Sequence, residues 1–265
     1  MTSQANRAGV ARLWLLNFVA NAAALAAWYF WLLIPDAHGW QVAGSVLLAI
    51  CIIVLVVWLR AGTFAYFRLA DFRDNGSVWR AFRHSLRHIV ALALWAAVLA
   101  AVLWFLFWLG RYPPQFGVWL WQKLPESLRF ASPRQLTQYS YCLLWLLTLG
   151  AVAKWLPIAS TIAVSGFGKQ ALRSWRVLIR PMYWLWFCVL IFVGAYVPYK
   201  LVWWIPDLSD LRKQAWSMGL RFFAAYVIVI TAGIALVLMV GVRTEREAVN
   251  SIAASKSNET RAVPE

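Results

Sequence analysis

None of the apolar runs in this 265-residue chain contains an aspartate or a glutamate. All ten acidic residues, from Asp36 to Glu265, fall between the runs or in the tail. Proton- and sodium-coupled transporters rely on an intramembrane carboxylate, so their absence here disfavours coupled transport. Histidine is nearly as scarce, with His38, His84 and His88 only. Cysteine is limited to Cys51, Cys142 and Cys188, each inside an apolar run. Such thiols read as small buried hydrophobes, neither a disulfide framework nor a metal set. Nucleophile-elbow, phosphate-loop, His-Glu-x-x-His and paired-Cys patterns are missing, and no aspartate pair or Ser–His pair sits where an intramembrane protease needs one. No soluble module remains to carry nucleic-acid binding, so the net charge of +15 has to be explained otherwise.

What is abundant is apolar surface. Hydrophobic residues make up 63% of the chain, mean hydropathy is +0.65, and there are 19 tryptophans. Soluble domains run near 45–50% apolar and lack stretches of about 20 apolar residues, whereas a bilayer requires them. Six spans are expected, at Leu13–Ile34, Val42–Leu59, Ile89–Leu109, Tyr139–Val164, Tyr183–Ile205 and Leu220–Val242. The fold class is all-α, a polytopic bundle of six transmembrane helices with short amphipathic interfacial helices. It forms one domain over residues 1–243, followed by a polar, unordered tail over 244–265. Many tryptophans stand near span ends (Trp28, Trp31, Trp104, Trp108, Trp203, Trp204), where an indole meets both lipid and water. The fourth span holds Lys154 and Pro157 and should kink or tilt. A signal peptide is the alternative for the first run, but apolar residues continue past Ala20-Asn-Ala22 as far as Ile34.

Lys and Arg number sixteen on the side that holds both termini and eight on the other, leaving out Lys154. The positive-inside bias then puts both termini in the cytoplasm of a cell (inner) membrane, and anionic lipid accounts for the basic charge.

Two segments repeat faintly, nearly a hundred residues apart. Ala61-Gly-Thr-Phe-Ala65 resembles Ala159-Ser-Thr-Ile-Ala163, and each precedes a Trp-Arg pair, Trp79-Arg80 and Trp175-Arg176, at the threshold of a span. On a helix, Trp79, Phe82, Leu86, Ile89 and Val90 share one face beside Arg80, Arg83 and Arg87. Leu172, Trp175, Leu178 and Ile179 likewise lie opposite Arg173, Arg176 and Arg180. Helices of this kind lie in the membrane plane with guanidinium groups among phosphates, each worth on the order of 1 kcal/mol. The six arginines are therefore candidate contacts for anionic phospholipid. Asn17 and Asn21, four apart on the first span, and Lys154 are the candidate intramembrane polar groups. His84 and His88 have metal-ligand spacing but sit among arginines without a carboxylate or thiol, so neither a metal nor another cofactor is expected.

Three functional readings follow. The first is a non-catalytic scaffold, or a subunit that docks with other membrane subunits or a second copy. The second is a permease-like or lipid-handling protein binding an anion at the basic face. The third is a membrane enzyme, which would need Asp71, Asp74, His84 and His88 to converge on a cleft.

Overall fold

In the computed structural model, which describes residues 2–35, 38–125, 131–206 and 210–261, the chain is helical, with no strand among the described residues. The helices are α1 (Thr2–Leu32), α2 (Gly39–Arg68), α3 (Ala70–Asp74), α4 (Val78–Ser85), α5 (Ile89–Leu109), α6 (Pro113–Lys123), α7 (Pro133–Ser165), α8 (Lys169–Arg173), α9 (Pro181–Ile191), α10 (Val197–Trp203) and α11 (Leu211–Arg261). Six helical stretches among the described residues are long and apolar enough to cross a membrane. The chain is a multi-pass integral membrane protein.

The spans run longer than their apolar runs. Helix α2 passes Leu59 and continues to Arg68, because Ala61 through Phe67 are buried against protein and need no lipid. Helix α4 reaches α5 through a single 3-10 turn, Leu86–His88, so the first Trp-Arg segment and the third span form one continuous helical stretch, Val78–Leu109. The second Trp-Arg segment is 3-10 over Ser174–Ile179, and Pro181 opens α9. A π-helical turn, Phe192–Tyr196, joins α9 to α10 within the fifth span. The backbone of α11 continues to Arg261, where composition predicts an unordered tail. Once a span has nucleated the helix, extending it through Ala, Glu and Lys costs little.

The helices fall into two compact units. The larger comprises Met1–Ala93 and Pro157–Glu265, and the smaller comprises Leu94–Leu156. The boundaries cut α5 and α7, and the second cut falls at Pro157, the proline inside α7.

The larger unit has a dense core. Phe64, Tyr66 and Phe67 of α2, Phe82 of α4, Ile162 of α7, Val177, Tyr183 and Phe187 are all almost fully buried. Helix α4 lies on α2 at Gly62, where a Cβ would meet the Phe82 ring at 2.5 Å. Glycine leaves the room that the Phe82 ring fills, and Trp58 locks the contact by donating from its indole Nε1 to the Phe82 carbonyl at 3.2 Å. Both Ala-x-Thr-x-Ala segments are buried in this core and share one local device. Thr63 donates to the Leu59 carbonyl four residues back at 2.7 Å, and Thr161 donates to the Pro157 carbonyl at 3.0 Å. Each hydroxyl then accepts from a polar side chain of another helix, Asn17 at 3.1 Å for Thr63 and Arg68 for Thr161. The Thr161 bond also occupies the carbonyl of Pro157, the proline inside α7.

The smaller unit is tied mainly by tryptophan. Trp155 donates to the Trp95 carbonyl at 3.0 Å, and Trp95 donates in return to the Trp155 carbonyl at 3.4 Å. Helix α6 packs on α7 at Gly117, whose Cβ would meet Thr137 Oγ1 at 2.5 Å. Most of the remaining large side chains are exposed, among them Phe107 (73%) and Trp145 (66%).

Candidate functional site

Arg80, Arg83 and Arg87 stand on the exposed side of the α4 stretch because Ala81, Phe82 and Ser85 are drawn into the core by α2. Trp79 is consequently turned outward, 69% exposed, and the apolar face expected to hold both Trp79 and Phe82 is divided. Phe82 packs on protein, whereas Trp79 projects outward with its ring edge-on to Trp58 at 6.2 Å.

The three arginines line a cleft of about 560 Å³ with Phe72, His84 and Leu86. None of the three makes a hydrogen bond or ion pair among the described residues. His84 is fixed at the back of the cleft: its Nε2 lies 3.2 Å from the Val164 carbonyl. A carbonyl can only accept, so Nε2 carries the proton and donates. The ring also meets Phe72 edge-on at 5.8 Å and His88 at 6.1 Å. Asp71 is not part of this wall; its carboxylate accepts from Asn75 Nδ2 at 2.8 Å, and the side chain of Asp74 lies outside the described residues. No group of three metal-ligating side chains occurs among the described residues. The cleft thus offers guanidinium donors, an imidazole and an apolar wall, with no carboxylate among its described lining residues.

The second arginine set is arranged differently. Arg176 and Arg180 are exposed, and the side chain of Arg173 lies outside the described residues. Over Ser174–Ile179 the 3-10 repeat of three residues replaces 3.6, so side-chain directions depart from an α-helical wheel. Val177 is the buried residue there, while Trp175 and Ile179 face outward and Leu178 is half-buried.

The intramembrane candidates also separate. Asn17 is fully buried on α1, its Nδ2 donating to Leu13 O at 3.0 Å and to Thr63 Oγ1 at 3.1 Å. Asn21 donates to Asn17 O at 2.7 Å and accepts from Arg60 at 3.4 Å. Lys154 belongs to the smaller unit, is exposed, and makes no hydrogen bond among the described residues. Residues missed from sequence are Arg60 and Arg68, which count there as loop charges. Both lie on α2, Arg60 half-buried and Arg68 bonded to Thr161 and, at 3.4 Å, to Ser160. The signal was available: Ala61-Gly-Thr-Phe-Ala-Tyr-Phe67 remains apolar after Arg60.

A second cavity, of about 550 Å³, lies where Val202, Trp203 and Ile205 face Leu211, Met218 and Phe222. It is apolar, and its one arginine, Arg221, is turned onto the Ser217 carbonyl at 3.1 Å. No family model, curated protein or solved structure matches this chain.

Proposed function

We propose that this chain is a non-catalytic, lipid-handling membrane protein that holds an anionic phosphate headgroup in the cleft of Arg80, Arg83 and Arg87. The supporting observation is the cleft itself, with three guanidinium groups that have no protein partner among the described residues around about 560 Å³ beside the Phe72 ring. Guanidinium forks match phosphate oxygens, and Phe72 and Leu86 offer apolar contact to the first methylenes of a lipid. The lining suits retention better than chemistry. A guanidinium does not serve as a general base, and the His84 Nε2 that could relay a proton is committed to Val164. The lysine and arginine asymmetry supports a cell (inner) membrane with the cleft and both termini on the cytoplasmic face.

The test is thermal unfolding of the full chain in nanodiscs of phosphatidylcholine with and without phosphatidylglycerol. Wild type should unfold several degrees higher with the anionic lipid, and the Arg80→Gln/Arg83→Gln/Arg87→Gln triple variant should lose most of that gain. An equal gain in both proteins would refute the cleft as the site.

A second reading, a scaffold or subunit in a larger assembly or a homo-oligomer, is favoured by the smaller unit. Its two long helices leave Trp104, Phe107 and Trp145 uncovered. Gentle extraction followed by mass photometry separates the cases: a fixed mass above that of one chain supports assembly, and a single-chain mass opposes it.

A further inference from the structure

The cleft leaves unexplained the guanidinium of Arg60, which lies on α2 between the buried Leu59 and Ala61. Its hydrogen bond among the described residues is a long one, from Nη2 to Asn21 Oδ1 at 3.4 Å. No carboxylate is available, because the six spans contain none among the described residues. A charged group within an apolar span is expensive and persists where it faces a polar ligand or a water-filled cavity. One turn further along α2, Thr63 receives Asn17, and the Oδ1 of Asn17 is fully buried with no hydrogen-bond partner among the described residues. An orphaned acceptor of that kind costs on the order of 1–3 kcal/mol unless an N–H or O–H reaches it. The two defects are complementary: a cation lacking an anion and an acceptor lacking a donor, one helical turn apart.

A third helix closes the place. On α11, Gly233 stands beside the guanidinium, where a Cβ would come 3.8 Å from Arg60 Nη1. The preceding residue, Ala232, takes the π-helical turn Phe192–Tyr196 on its other side, where a Cβ on Gly194 would come within 2.9 Å. π-Turns inside helices concentrate at functional sites, since the extra residue opens the ladder locally.

We propose that Arg60, Asn17 and Asn21 form a second, intramembrane anion site that takes a phosphate oxyanion carrying a neighbouring O–H. The phosphate sits on Arg60 and Asn21 flanks it, while the hydroxyl donates to Asn17 Oδ1. A phosphodiester lipid with a hydroxylated headgroup and free hydrogen phosphate share this chemistry.

The experiment uses the full-length Arg80→Gln/Arg83→Gln/Arg87→Gln protein in detergent, so that binding in the cleft does not contribute. Delipidated protein is titrated with short-chain phosphatidylglycerol, with inorganic phosphate, and with a phosphodiester lipid whose headgroup has no hydroxyl. One saturable site should remain for phosphatidylglycerol, and the lipid without the hydroxyl should bind about tenfold more weakly, equivalent to about 1.4 kcal/mol. Saturable binding of phosphate as well would identify the free anion as a ligand; saturation by the lipid alone would identify the headgroup. Arg60→Gln in this background should abolish the site, and Arg60→Lys should retain it at reduced affinity. A background protein that binds none of the probes would overturn the proposal, whether or not the Arg60 variants fold. Undiminished binding by Arg60→Gln would do the same. Failure of the cleft in the nanodisc test leaves this result independent, because the cleft arginines are already absent.

Discussion

The two units are similarly apolar in sequence but are held together differently. In the larger, seven consecutive residues of α2, Ala61 to Phe67, are buried. Glycine and alanine let its helices approach, and threonine, asparagine and arginine bond across them. In the smaller, leucine and tryptophan are the commonest large side chains, and long stretches of α5 and α7 are exposed among the described residues. Within lipid, burying a leucine between helices gains little over leaving it in hydrocarbon. Close packing of small residues and interhelical hydrogen bonds supply the adhesion. The comparison teaches that hydropathy finds the spans of such a protein, whereas small and hydroxylated residues show where it is packed and where its polar sites can be built.

Substitutions should divide along the same line. The largest expected effect is Gly62→Leu, which drives a side chain into the Phe82 ring and should cost about 3 kcal/mol, read by denaturant unfolding in micelles. A cost below about 0.5 kcal/mol would show that α4 does not depend on that approach. Thr161→Val comes next: it leaves Arg68 without one of its acceptors and should cost about 1.5 kcal/mol in the same assay. Thr63→Val removes one of the two acceptors of Asn17 Nδ2 and should cost about 0.6 kcal/mol, less than Thr161→Val because no charge is involved. In the smaller unit, Trp155→Phe removes one of the paired indole bonds and should also cost about 0.6 kcal/mol. Last is Trp145→Leu on the uncovered face, expected to change stability by less than about 0.5 kcal/mol. If Trp145→Leu proved as costly as Gly62→Leu, the smaller unit would be packed against something, and the scaffold reading would gain.

Much of this was legible in the sequence. Six spans follow from runs of about 20 apolar residues, because the bilayer fixes that length. Their ends were less legible. The second run stops at Leu59 on hydropathy, yet the helix continues to Arg68, since protein rather than lipid covers Ala61–Phe67. For the same reason Arg60 and Arg68 read as loop charges. The arginines of the first Trp-Arg segment fall together as the helical spacing implies, but Phe82 and Trp79 part company because Gly62 draws one of them inward. In the second segment the 3-10 turn, forced before Pro181, displaces the faces, and no periodicity argument at 100° per residue could have followed it. The orphaned Asn17 Oδ1 has no sequence signature at all. It depends on how α1 is rotated against α2.

The proposed anion binding belongs to the packed unit, at Arg80, Arg83 and Arg87. The most direct measurement is native mass spectrometry of the chain extracted gently from its own membrane, comparing wild type, the triple Gln variant and Lys154→Ala. Wild type and Lys154→Ala should carry one discrete anionic phospholipid more than the triple variant, in which the occupancy of that additional lipid falls about tenfold or more. Equal occupancy in all three, or loss in Lys154→Ala alone, would contradict it.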